Sequence, residues 1–185
     1  VFVAKAQGAT RGLRYDPDHG IDVKLSCTSS GVVWLSTLPD DDAIALVSKQ
    51  GVAKRSEYGP NAPGSIDALM KQVRLARKQG IAFTTETYAA GLNAMSTPIL
   101  ANGNGAVGVL AMSGPSVRLT EAKMQQWAPE LKNAAADIAR ASAASPLFRV
   151  AWARSIRSLL IALKTPPFGT LKAVNTSTSP AVSAP

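Results

Sequence analysis

Apolar and polar positions change period several times along this chain, and the changes mark out its elements. The clearest signal is a pair of apolar runs, Leu92 to Ala101 and Ala106 to Met112, around Asn102-Gly103-Asn104-Gly105. Asn and Gly accept the positive φ angles of a tight reversal, so these runs predict a β-hairpin. Both runs are too apolar for a sheet with one wetted face. Helices are expected to cover one face, leaving the other for a ligand cavity.

Other stretches follow helical spacing. Ser65 precedes Ile66, Leu69, Met70, Val73 and Ala76, three and four residues apart, and Gly80 closes that helix. Lys71, Arg74, Arg77 and Lys78 fall on its other side and read as a solvated face. Thr120-Glu121 opens a later helix with Met124, Trp127, Leu131, Ala135 and Ile138 as its inward stripe. Pro129 is expected to kink or divide it, because proline removes a backbone donor and clashes with the preceding turn. Earlier, Ser26-Cys27-Thr28-Ser29-Ser30 leads into the apolar run Gly31 to Leu38, which Pro39 stops. Small hydroxyl residues in that place mark a helix N-terminus. There they serve as plain caps or, with the free N–H groups and the helix dipole, attract an anion. Asp40, Asp41 and Asp42 open a helix over Ala43 to Gln50 and suit its positive end; no further oxygen ligands lie nearby for a metal. Residues 51–64 are a loop.

The two ends have their own texture. Val1 to Ala6 and Gly12 to Tyr15 predict two short strands joined by a polar turn. Phe148, Trp152, Ile156, Leu159, Leu160 and Leu163 form a stripe opposed by Arg149, Arg154, Arg157 and Lys164, which predicts a basic amphipathic helix. Such a helix packs on its own domain or a second subunit, or serves a partner groove or an anionic membrane surface. From Thr165 onward Pro, Ser, Thr and Ala dominate, and disorder is expected.

At 185 residues the chain suggests one main domain with a sizeable core. No apolar run reaches the roughly 20 residues of a membrane span, and no secretory leader opens the chain. It begins at Val1, as expected of a processed or truncated product. Cys27 is the only cysteine, which excludes an internal disulfide and fits a reducing cytoplasm. His19, the only histidine, sits in the turn-like Asp16-Pro17-Asp18-His19-Gly20 and reads as a solvated loop residue. Cys27 and His19 together cannot make a typical zinc site. The net charge of +8 is uneven: residues 1–142 carry 15 of 20 basic groups and all 12 acidic ones, while residues 143–185 hold only basic groups. A nearly balanced body with a basic extension does not by itself point to nucleic acid.

Taken in order, several stretches resemble the effector-binding domain of the IclR family of bacterial transcriptional regulators. They are Val3-Ala-Lys-Ala-Gln-Gly8; Leu25 to Leu35 with Gly31; Leu38-Pro39; Val73-Arg74 to Gln79-Gly80; Glu86 to Leu92 with Gly91; Thr97-Pro98; and Met112-Ser-Gly-Pro115. The resemblance covers residues 1 to about 142. It implies an α/β fold: a GAF-like domain with helices packed on a central antiparallel sheet around a pocket for a small-molecule effector, often an organic acid. It also implies assembly as a homodimer or homotetramer. DNA would be bound only through a winged helix-turn-helix that is absent from this chain. No cofactor, metal or catalytic residue is expected.

Carried over by position, the carboxylate-binding helix start falls on Ser29 and Ser30, with Gly31 allowing close backbone approach. The wall falls on Thr84, Leu92, Ala94, Ala111 and Ser113, with Glu86 close by. Well-studied members often place Asp, Cys and Ser where this chain has Thr84, Ala94 and Ala111. The pocket is therefore expected to be less polar and roomier, favouring an aromatic or longer aliphatic acid. Two other classes compete. One is an enzyme using Glu86 as general acid or base, which lacks a nucleophile, metal site or cofactor motif. The other is a protein-interaction module acting through the 146–164 helix.

Overall fold

A computed structural model describes Ala6, residues 24–100 and residues 105–144, with side chains described as far as residue 141. The expected strands in residues 1–15 (Ala6 apart), His19, the Asn102-Gly103-Asn104 turn and the basic amphipathic helix lie outside the described residues. In chain order the elements are α1 (Ser29–Ser36), α2 (Asp40–Gln50), α3 (Ile66–Gln79), β1 (Ala82–Thr85), β2 (Leu92–Leu100), β3 (Ala106–Pro115) and α4 (Glu121–Ala144).

The expected hairpin is β2 and β3, and it gains a third strand. β1 pairs antiparallel with β2, and β2 antiparallel with β3, giving the order β1-β2-β3. β1 is only four residues, too short to declare a period. Side chains alternate across the pleat, so register assigns them to faces. Met95 and Ile99 point to one face. Met95 packs with Ile81, Leu119, Met124 and Leu131, and Ile99 with Ala135 and Ile138, so α4 seals that side. Ala82 and Val109 belong to the other face and join a cluster with Val32, Val33 and Leu35 of α1 and Leu69, Met70 and Val73 of α3. The domain is thus a sheet between α4 and a layer of α1, α2 and α3.

Coverage is less complete than the apolar runs imply. β2 is flanked by strands on both sides, but on β3 Val107 is 50% exposed and Ala111 and Ser113 are also exposed.

α3 follows its sequence signals closely. The Ser65 side chain accepts from the Ala68 N–H, and Gly80 takes a left-handed φ of 66° that ends the helix. Its arginines do more than face solvent, a departure from the expected solvated face. Arg74 and Arg77 each reach Asp40 at 2.8 Å, and Arg77 also donates to the carbonyls of Ser36 and Leu38. These contacts fasten α3 to the end of α1 and the start of α2. α4 continues as one helix of 24 residues through Pro129 instead of dividing there. Pro129 is exposed, so the carbonyl it leaves unpaired can turn to water while Met124, Leu131 and Ile138 hold both halves against the sheet.

Candidate functional site

The helix start of α1 is built by Thr28, which acts as the cap. Its Oγ1 donates to the Lys24 carbonyl at 2.8 Å and accepts from the Gly31 N–H at 3.1 Å, while Val32 N–H bonds the Thr28 carbonyl at 3.0 Å. Ser29 and Ser30 are therefore not caps but the first two residues of the helix. Their N–H groups are among those with no intrahelical acceptor, at the positive end of the dipole. Their hydroxyls turn toward the sheet. Ser29 Oγ lies 2.6 Å and Ser30 Oγ 3.3 Å from Ser96 Oγ on β2. A second tie fixes the same turn, as Thr87 Oγ1 donates to the Cys27 carbonyl at 2.6 Å.

Register places the wall residues. Thr84, Ala94 and Ser113 are directly paired across the three strands, and Ala82, Ser96 and Ala111 form the next row. Paired residues share a face, so Thr84, Ala94, Ala111 and Ser113 stand on the same side as Ser96, and Leu92, two residues before Ala94, shares it. The sequence-predicted residues of the sheet and the helix start thus meet on one surface. Thr84 is buried, and its hydroxyl donates to the Ala94 carbonyl at 3.2 Å, so it braces the sheet. Ala94 is half-buried, and Ala111 and Ser113 form the open side.

Glu86 and Gly31 are placed differently from the rest. Glu86 lies past the end of β1 with a φ of 52°, unusual for a residue with a side chain. Its N–H donates to the Leu92 carbonyl at 2.9 Å and its carbonyl accepts from Asn61 N–H at 3.2 Å. Gly59 presses on the same peptide: a Cβ there would fall 2.0 Å from the Glu86 carbonyl oxygen. Gly31 is needed for a similar reason. A Cβ on it would fall 2.3 Å from the Leu25 carbonyl oxygen, so the missing side chain makes room for the preceding turn.

Ser96 and Gly59 escaped the sequence reading. Ser96 sits inside an apolar run, yet it is two residues after Ala94 and so on the same face, a period-two clue present in the sequence. Gly59 gave no such clue, since its contact is with a strand end far along the chain.

Titratable groups lie around the site, not in the hydroxyl cluster. Burial pushes the Cys27 thiol up to about 12, with Lys24 opposing. Burial likewise raises Tyr58, helped by Cys27, Tyr88 and Glu57. Hydrogen bonds from Arg77 and then Arg74 hold the Asp40 carboxyl below its ordinary value. Among the described residues no three His, Cys, Asp or Glu side chains gather in a metal-binding group. No helix among them is long and apolar enough to cross a membrane.

Among the described residues, three antiparallel strands with a hydroxyl-rich helix start on one face and a long helix sealing the other make an α/β domain. The family model for the bacterial transcriptional regulator IclR C-terminal region matches residues 1–140, and the chain belongs to that family. Its relatives include the HTH-type transcriptional repressor AllR of Salmonella paratyphi A, 25% identical over 127 residues covering 69% of this chain and 46% of AllR. AllR of Escherichia coli K12 is 25% identical over 122 residues, 66% of this chain and 44% of that protein. The chain thus spans just under half the length of the curated relatives it matches. Among solved structures, a putative transcriptional regulator from Rhodococcus sp. RHA1 superposes with a TM-score of 0.66 at 24% identity, covering 72% of this chain and 54% of that one. A double mutant of the Acinetobacter PobR inducer-binding domain, in complex with 3-hydroxybenzoic acid, superposes with a TM-score of 0.57 at 18% identity, covering 71% and 85%. Both likenesses concern the fold.

Proposed function

We propose that this chain is the ligand-sensing domain of a DNA-binding transcriptional regulator of the bacterial cytoplasm. It binds a small organic acid whose carboxylate meets the α1 start at Ser29 and Ser30. The ligand body lies along the sheet face of Leu92, Ala94, Ala111 and Ser113, beside Glu86. The observation that carries this reading is the juxtaposition of an N-terminal helix turn with that face, joined through Ser96. An anion gains there from free N–H groups and the helix dipole, and a mostly apolar wall suits an aromatic or longer aliphatic body. The complex of PobR with 3-hydroxybenzoic acid, in a protein of the same fold, supports an aromatic acid as the first to try. Binding shifts the arrangement of subunits in a homodimer or homotetramer, and through it the DNA affinity of a winged helix-turn-helix outside this chain.

Calorimetry with a panel of carboxylic acids tests the site. At least one acid is expected to bind, and Ser29→Ala with Ser30→Ala is expected to weaken it by about tenfold or more, the loss of one or two charge-assisted hydrogen bonds. Failure of every acid, or affinity indifferent to the double substitution, refutes the reading.

A further inference from the structure

We infer that Ser96 is a positioning residue of this effector site: it orders the Ser29, Ser96 and Ser30 hydroxyls into a one-way relay that presents a donor at Ser30 to the ligand carboxylate. The inference rests on the effector-site reading above and adds a residue and a selectivity to it.

Each serine hydroxyl carries one hydrogen and two lone pairs. The cluster makes two internal contacts, Ser29 to Ser96 at 2.6 Å and Ser30 to Ser96 at 3.3 Å, so one hydrogen is left over. Ser96 has a single hydrogen and cannot donate to both neighbours, which leaves three arrangements. If both neighbours donate to Ser96, the spare hydrogen sits on Ser96, which is 0% exposed. If donation runs from Ser30 through Ser96 to Ser29, it sits on Ser29, which is 2% exposed. If it runs from Ser29 through Ser96 to Ser30, the spare hydrogen sits on Ser30, which is only partly buried. A buried donor without an acceptor is costly, so the third arrangement wins.

The direction has a consequence for ligand choice. Ser30 offers an O–H, and the Ser29 and Ser96 hydroxyls behind it polarise that bond further. A carboxylate oxygen accepts such a bond more strongly than a neutral amide oxygen. The 3.3 Å contact is the long one of the pair, and an anion on Ser30 draws it shorter. Polarity that Ala94 and Ala111 do not provide on the wall is supplied by Ser96, at the carboxylate end.

Calorimetry on the full chain tests this with 3-hydroxybenzoate, benzoate and hexanoate, each against its primary amide, in wild type and in Ser30→Ala, Ser96→Ala, Ser96→Thr and the Ser30→Ala/Ser96→Ala pair. Each single alanine is expected to weaken acid binding about five- to tenfold and to lower the acid-to-amide preference. The double variant is expected to bind about as Ser30→Ala does, because Ser96 acts through Ser30. Ser96→Thr, which keeps the hydroxyl, is expected to retain the preference. Fully additive losses, or an acid-to-amide preference unmoved by Ser96→Ala, overturn the relay while leaving the site reading standing. If none of the three acids binds wild type while another acid of the panel does, the same variants are measured with that acid and its amide; if no acid binds at all, the site reading and the relay fall together.

Discussion

The two faces of the sheet are built from the same strands and have little else in common. Toward α4, β2 sends Met95 and Ile99 into a layer of Leu119, Met124, Leu131 and Ile138, large side chains that are almost wholly buried. Toward α1 it sends Ala94 and Ser96, with Ala111 and Ser113 beside them on β3; Ser96 meets the start of the helix through hydroxyls, while Ala82 and Val109 on the same face join the apolar cluster of α1 and α3. The first face gains stability from apolar area and has little room for anything else. The second gives up area for small and polar groups around the start of α1. A sheet that carries both can be held rigid from behind while its front stays open to chemistry.

The sharpest way to break this comparison is to cut neighbouring residues of one strand. Met95→Ala is expected to cost about 2–5 kcal/mol, since it leaves a cavity in a packed layer. Ser96→Ala is expected to cost less, about 1–3 kcal/mol, because it leaves the buried Ser29 hydroxyl without its acceptor. Urea unfolding of both variants at matched slope checks the contrast. Equal losses would mean that the hydroxyl face carries as much of the fold as the apolar one.

How much of each face was legible follows from the kind of signal it leaves. The hairpin was readable because its apolar runs bracket Asn and Gly, and α3 because Ser65, a regular stripe and Gly80 agree. Ser29 and Ser30 stood out as hydroxyls gathered before an apolar run. β1 did not, being four residues long. Ser96 was hidden because its meaning lies in a pairing 67 residues away from Ser29, which only register reveals. The arginines of α3 looked merely solvated for the same reason, since Asp40 stands 34 residues before Arg74 and 37 before Arg77. Gly31 was legible as special, but its neighbour is the Leu25 backbone.

The close approach of Gly31 to Leu25 can be separated from any role in ligand approach. Gly31→Ala forces a Cβ against the backbone of Leu25 and must move the turn that sets the helix start. A loss of about 1–3 kcal/mol is expected, the usual range for overpacking. Acid affinity should fall as well, because the turn carries Ser29 and Ser30. Unchanged unfolding with lowered affinity would instead assign Gly31 to ligand approach alone.

The smallest effect belongs to the surface clamp of the front layer. Asp40 is partly exposed to solvent, and its carboxyl is held below the ordinary value of 3.8 by hydrogen bonds from Arg77 and then Arg74. A carboxyl with a lowered folded-state pKa contributes stability that is present above its unfolded value and lost as pH falls through the folded one. The contribution is therefore complete at neutral pH and disappears only on acidification below about 3.8. Exposure and salt screening keep it small. Asp40→Asn is expected to lower the thermal midpoint slightly at pH 7, with the gap shrinking as pH falls below about 3.8 and narrowing at pH 7 in high salt. Because the clamp joins α1, α2 and α3 but not α4, hydrogen exchange in the variant should rise in the front helices first. A uniform rise across α4 would show that the two layers open together, and the division between a rigid back and an adjustable front would fail.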